Sequence, residues 1–131
     1  MIVTVVAAII RKDGKILITR RPDNVHLAGL WEFPGGKVEE DESLESALAR
    51  EICEELGVAI TVEDKFFTVE HHYPARPVRL HFFNCSITQG EPRIADVADL
   101  RWVAPAELSE YEFPEADREL ITRLRSDFHG P

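Results

Sequence analysis

Gly36 to Val58, GKVEEDESLESALAREICEELGV, constrains this chain more than any other stretch. Leu44, Leu48, Ile52 and Leu56 recur every four residues, which predicts a helix with one apolar stripe over roughly Ser43 to Leu56. Ser43 is placed to cap its start, Glu45 falls in the positive first turn, and Gly57 can stop it in a left-handed conformation. At about 100° per residue, Glu51, Glu54 and Glu55 share an arc of about 100° along the edge of the stripe. Like charges at i,i+4, Glu51 and Glu55 here, repel. Lys37 and Arg50 can offset part of that charge, but a cluster of carboxylate oxygens suits a hard divalent ion better, Mg²⁺ or Mn²⁺. An exposed acidic helix face is the plainer reading. The apolar stripe beside the cluster and the glycine before it weigh against that.

The rest of the composition narrows the setting. The 131 residues fit one domain over 1–131, with 126–131 read as a frayed tail, and 44% hydrophobic residues can fill a core. The charge balance is 15 − 24 = −9, so no basic footprint for duplex DNA or RNA exists. A nucleic-acid-related ligand must then be small and held through metal ions and a few local cations. Cys53 and Cys85 have no metal or redox spacing, which fits a reducing cytoplasm. Val3 to Ile10 is apolar but too short to span a membrane, and it reads as a strand, not a signal peptide.

In chain order, Ile2 to Arg11 predicts a buried strand and Asp13-Gly14 a hairpin turn into a second strand, Lys15 to Thr19. Leu30 to Phe33 reads as a short extended piece, and Pro34-Gly35-Gly36 as a tight turn with close backbone approach to a ligand. After the helix, Val58 to Glu70 is strand-like with an interruption at Glu63-Asp64-Lys65. His71 to Pro77 reads as a loop. Val78, Leu80, Phe82 and Ile87 mark another strand, in which one of Phe82 and Phe83 faces the core and the other a pocket. Leu100 to Val103 is a last strand, and Glu115 to Phe128 an amphipathic helix. His71 and His72 stand at no fixed spacing from the acidic helix, and Glu39, Glu40 and Asp41 read as a solvated turn. The order predicts an α/β layered fold with a mixed sheet.

The central stretch also resembles the Nudix box, G-x5-E-x7-R-E-U-x-E-E-x-G-U. Gly36, Glu42, Arg50, Glu51, Ile52, Glu54, Glu55, Gly57 and Val58 fill every fixed position. Outside it, Ile18 to Arg21, His26, Trp31 to Lys37, Tyr73 to Arg76 and Phe113 to Asp117 resemble the MutT branch of that family, in the same order. The resemblance implies an α/β/α sandwich and Mg²⁺-dependent hydrolysis of a nucleoside triphosphate by water attack at the β-phosphorus, giving monophosphate and pyrophosphate. It implies metal ligands at Glu51, Glu54 and Glu55, at the Gly35 carbonyl and at Asp96. Either Glu51 or Glu54 handles the attacking water, and an Arg50–Glu42 ion pair supports them. Arg21 and Lys37 are placed at the phosphates, His26 and Glu32 at the nucleotide, Phe33 and Arg76 around the base, and Asp117 on its edge. The branch removes oxidised guanine nucleotides. Its best-known members carry asparagine where Asp117 stands, whereas hydrolases of CTP and 5-methyl-dCTP carry the alanine-aspartate pair seen here as Ala116-Asp117. The expected substrate is thus 8-oxo-dGTP or a related modified nucleotide, with the cytosine nucleotides as the alternative. A non-catalytic Nudix sensor is the alternative from another class, and the intact box argues against it.

Overall fold

The computed structural model describes residues 2–23, 28–94 and 97–127. Strand β1 (Val3–Lys12) turns through Asp13 and Gly14 into β2 (Lys15–Arg20). Both turn residues have positive φ, 54° and 77°, as a two-residue hairpin of right-twisted strands requires. The two strands pair only at the turn, Arg11 with Ile16 and Lys12 with Lys15, and then diverge. Residues 31–37 fill the fork. Strand β3 (Trp31–Glu32) pairs with Thr19 and Arg20 of β2, and β4 (Gly35–Lys37) pairs with Val5 to Ala7 of β1. The Ala8 N–H donates to the Pro34 carbonyl at 2.8 Å and closes the gap between the two.

Of the expected tight turn at Pro34-Gly35-Gly36, only Pro34 bends, and the two glycines are strand. Its glycines serve a different closeness: a Cβ on Gly35 would strike the Val6 carbonyl, and one on Gly36 the Glu51 carboxylate. Neither glycine has positive φ. What selects glycine here is space, not a left-handed backbone.

Helix α1 (Leu44–Leu56) follows with the predicted caps. The Ser43 hydroxyl accepts from the Ser46 N–H, and Gly57, at φ 72°, donates to the Cys53 carbonyl. Strands β5 (Ala59–His72) and β6 (Pro77–Gln89) form a long antiparallel pair. The expected break at Glu63 to Lys65 is instead a pair of register shifts within one strand, which β5 tolerates because it pairs on one side only. The expected loop from His71 shrinks to residues 73–76 because the pairing runs on to His72 and Pro77. Strand β7 (Asp99–Val103) lies antiparallel to β2. A 3-10 turn at Glu115–Asp117 then leads into α2 (Arg118–Asp127), so the last α-helix starts later than expected, and Phe128 lies outside the described residues.

β1 and β6 run parallel and the other pairs antiparallel, giving the mixed sheet. Alternate residues of the continuous apolar β1 run feed two cores. Val6, Ala8 and Ile10 pack with Ala47, Leu48, Ile52 and Leu56 of α1, while Ala7 and Ile9 pack with Leu120 and Leu124 of α2. A strand buried on both faces needs no polar alternation, which is why it reads as an unbroken hydrophobic run. The result is an α/β/α sandwich. Among the described residues no helix is long and apolar enough to cross a membrane.

Candidate active site

The site forms where α1 presents its acidic edge to the fork. Arg50 organises that edge. Its Nε and Nη2 donate to the two carboxylate oxygens of Glu42 at 2.6 and 2.9 Å. Its Nη1 reaches Glu51 at 3.0 Å and Glu54 at 3.3 Å, and Nη2 also meets the Lys37 carbonyl at 3.3 Å. Glu42 additionally accepts from the Glu39 N–H. The Arg50 contact first and that backbone bond second hold the Glu42 carboxyl down at about 2, and the same pair keeps Arg50 fully charged. The expected Arg50–Glu42 pair is thus present, in a forked geometry that fixes the guanidinium.

Glu51 and Glu55 face Gly35 and Gly36 across the gap. Glu51 packs where a Gly36 side chain would be, and the Gly35 N–H lies against the Glu55 carboxyl. One Glu55 oxygen is buried with no hydrogen-bond partner. Burial, then the charges of Glu32 and Glu51, push the Glu55 carboxyl up to about 9. A buried carboxyl with one unsatisfied oxygen, crowded by two other carboxylates, fits a hard divalent cation. Among the described residues no three acidic, His or Cys side chains already converge as a cage. Glu54, with 56% of its side chain exposed, turns toward Arg50 rather than toward Gly35. The contact Gly35 offers Glu55 here is through its N–H. Asp96 and His26, both expected at the site, lie outside the described residues.

A cavity of about 290 Å³ opens beside this edge. Gly35, Gly36 and Lys37 form its near wall, and Val5, Val78, Leu80 and Phe82 its apolar floor. Phe33 is stacked on Phe113 at 5.4 Å and edge-on to Phe82 at 6.1 Å, so its ring is fixed from two sides. Phe83, the other aromatic of the pair, is buried in the α1 core. Asp117 sits at the far wall with 4% of its surface exposed. Burial first, and the Glu32 charge second, push its carboxyl up to about 7.

Glu32 stands between the two acidic ends, raising both Glu55 and Asp117, and is itself tied to Arg21 at 2.8 Å. Arg21, Glu32, Phe33, Lys37 and Asp117 therefore meet around one cavity. Arg76 does not: the short 73–76 turn leaves it exposed and outside the wall, and Tyr73 takes the place facing the cavity. Tyr73, Val78 and Leu80 went unassigned in the sequence, whereas Phe82 is the one of the two phenylalanines that lines the cavity. The alternation of Val78, Leu80 and Phe82 signals one common face, but which cavity that face lines depends on strand pairing.

Comparisons with known proteins converge on one family. A NUDIX domain family model matches residues 5–123. The CTP pyrophosphohydrolase of Escherichia coli K12 is 41% identical over 119 residues, 91% of this chain and 88% of that one. The 8-oxo-dGTP diphosphatase of the same organism is 34% identical over 120 residues, 92% and 93% of the two chains. Among solved structures, the MutT protein of Methanosarcina mazei Go1 superposes with a TM-score of 0.88 at 28% identity, covering 98% of this chain and 96% of that one.

Proposed function

The chain belongs to the NUDIX domain family and is a Nudix hydrolase, and from that premise we infer that it is a Mg²⁺-dependent nucleoside triphosphate pyrophosphohydrolase of the MutT type, converting 8-oxo-dGTP or a related modified nucleotide to the monophosphate and pyrophosphate. The observation that carries this reading is one of adjacency. The carboxylates Glu51 and Glu55 meet at Gly35 and Gly36, and the cavity those glycines line ends at buried Asp117. Phosphate chemistry and base recognition thus share one wall.

Nudix hydrolases work with divalent metal, and Glu51, Glu55 and Glu54 are the groups here that would hold it, with Asp96 proposed from the sequence as a further ligand. A bound divalent ion supplies charge neutralisation on phosphoryl oxygens and makes water easier to ionise. The protein does the rest by placement. Arg50, fixed by Glu42, holds Glu51 and Glu54 in reach of the attacking water, and one of them takes its proton. Lys37 at the cavity edge and Arg21 beside Glu32 meet the phosphates. Phe33 bounds the base pocket and Asp117 reads the base edge.

The cytosine reading has its own observation. A neutral Asp117 offers one donor and one acceptor, which complements N3 and the N4 amine of cytosine. An ionised one only accepts, which complements N1–H and the exocyclic amine of guanine. The 41% identity to a protein named CTP pyrophosphohydrolase points the same way as the neutral form. Comparing kcat/KM for 8-oxo-dGTP, dGTP, CTP, dCTP and 5-methyl-dCTP separates the two. A large preference for 8-oxo-dGTP over dGTP supports the first reading. A preference for cytosine nucleotides keeps the chemistry and overturns the base.

A further inference from the structure

Asp117 is carried by a turn rather than by the sheet. Residues 114–117 cross the end of the cavity as one 3-10 turn with no side-chain cap, closed by two backbone bonds, from the Asp117 N–H to the Pro114 carbonyl at 3.0 Å and from the Arg118 N–H to the Glu115 carbonyl. A turn this short has little rigidity of its own. Hydrogen-bond selection of a base edge needs its reader fixed to a fraction of an ångström.

The missing restraint comes from the end of β5. The Tyr73 phenol is hydrogen-bonded to the Ala116 backbone and lines the cavity beside Asp117. His71 Nε2 stands 3.9 Å from a Glu115 carboxylate oxygen. The two rings brace each other edge-to-face, with centroids 4.5 Å apart at 67°. Three consecutive residues of the turn, Glu115, Ala116 and Asp117, are therefore approached from a single strand end.

We propose that Tyr73, with His71 behind it, is a positioning residue for base selection, a brace that sets where the Asp117 carboxyl meets the base. This rests on Asp117 being the group that reads the base. The ring holds the cavity wall and the hydroxyl fixes the turn.

The test is steady-state kinetics of Y73F, Y73A, H71F and D117N on 8-oxo-dGTP, dGTP and CTP, with thermal melts and Mg²⁺ titrations of each. Losing one hydrogen bond to the turn in Y73F should raise KM for the preferred nucleotide about 3- to 10-fold. The preferred-to-disfavoured ratio of kcat/KM should shrink by a similar factor, with little change in kcat, Tm or Mg²⁺ half-saturation. H71F, which keeps the ring contact and loses the Glu115 pair, should move the ratio the same way by less. An unchanged ratio in both Y73F and Y73A overturns the proposal. So does a uniform fall in kcat on all three nucleotides with a lowered Tm, the mark of a purely structural residue. D117N tells the two levels apart. If it also leaves the ratio unchanged, base reading by Asp117 has failed; if it changes the ratio while both Tyr73 variants do not, only the brace has failed.

Discussion

Gly35 and Gly36 are neighbours, yet a methyl group on each should fail differently. On Gly35 it meets main chain, the Val6 carbonyl, which cannot move without opening the β1–β4 pairing. On Gly36 it meets the end of the Glu51 side chain, which can swing away. G35A should therefore lower stability by about 1–3 kcal/mol, as overpacking does, read by thermal or urea unfolding. G36A should keep most of the stability and lose activity, with a raised Mg²⁺ requirement. Equal melting losses in the two variants would contradict the account. Asp117 makes the second prediction at this scale. Its folded-state value lies above the ordinary 3.8, at about 7, so the neutral acid is the form the fold prefers. The stability it contributes is complete below about 4 and drains away as pH rises through about 7. D117N, which does not titrate, should gain stability relative to the parent between pH 5 and 8, by at most about 4 kcal/mol. The kcat/KM ratio of guanine over cytosine nucleotides should rise across the same window and lose that slope in D117N. A flat ratio would detach base choice from the Asp117 proton.

Helix α1 was legible almost to its ends, because its signals are local. Ser43, the four-residue apolar spacing and Gly57 each act within a turn of the helix. Strand β4 was not. Two glycines carry a turn signal, and only distant β1 makes them a strand. The same holds for Arg76 and Tyr73: the sequence cannot say where β5 stops, and two more residues of pairing exchange which side chain faces the cavity. The acidic face of α1 predicts its own titration. In metal-free protein the Glu55 carboxyl sits at about 9, hence protonated at neutral pH, while a metal ligand must be ionised. Mg²⁺ binding at pH 7.5 should therefore release about one proton, measurable by calorimetry in buffers of different ionisation enthalpy. Affinity should climb with pH up to about 9, and E55Q should bind more weakly without the release. Proton-neutral binding would remove Glu55 from the ligand set.

At the scale of the molecule, one fork in the sheet joins two layers of core to one site. The alternation of β1 was hidden by its unbroken apolarity, so the sequence showed a buried strand but not which residues belong to which helix. The sandwich nonetheless predicts that the two layers hold equally. Truncating Ile52 on the α1 side or Leu120 on the α2 side, both fully buried, should each cost about 2–5 kcal/mol in urea unfolding. A negligible loss at either would mean that layer is not core. The central claim is that the acidic edge of α1, loaded with Mg²⁺, splits a nucleoside triphosphate between its α- and β-phosphates. The most direct measurement follows pyrophosphate and monophosphate released from 8-oxo-dGTP and CTP by the parent and by E54Q, with Mg²⁺ and with EDTA. Glu54 is exposed, so the substitution should leave the melting curve in place. The account predicts pyrophosphate from the parent with Mg²⁺, none with EDTA, and turnover lowered by about a hundredfold or more in E54Q. Near-normal turnover in E54Q at saturating Mg²⁺, or tight nucleotide binding by the parent with no Mg²⁺-dependent product, would contradict it.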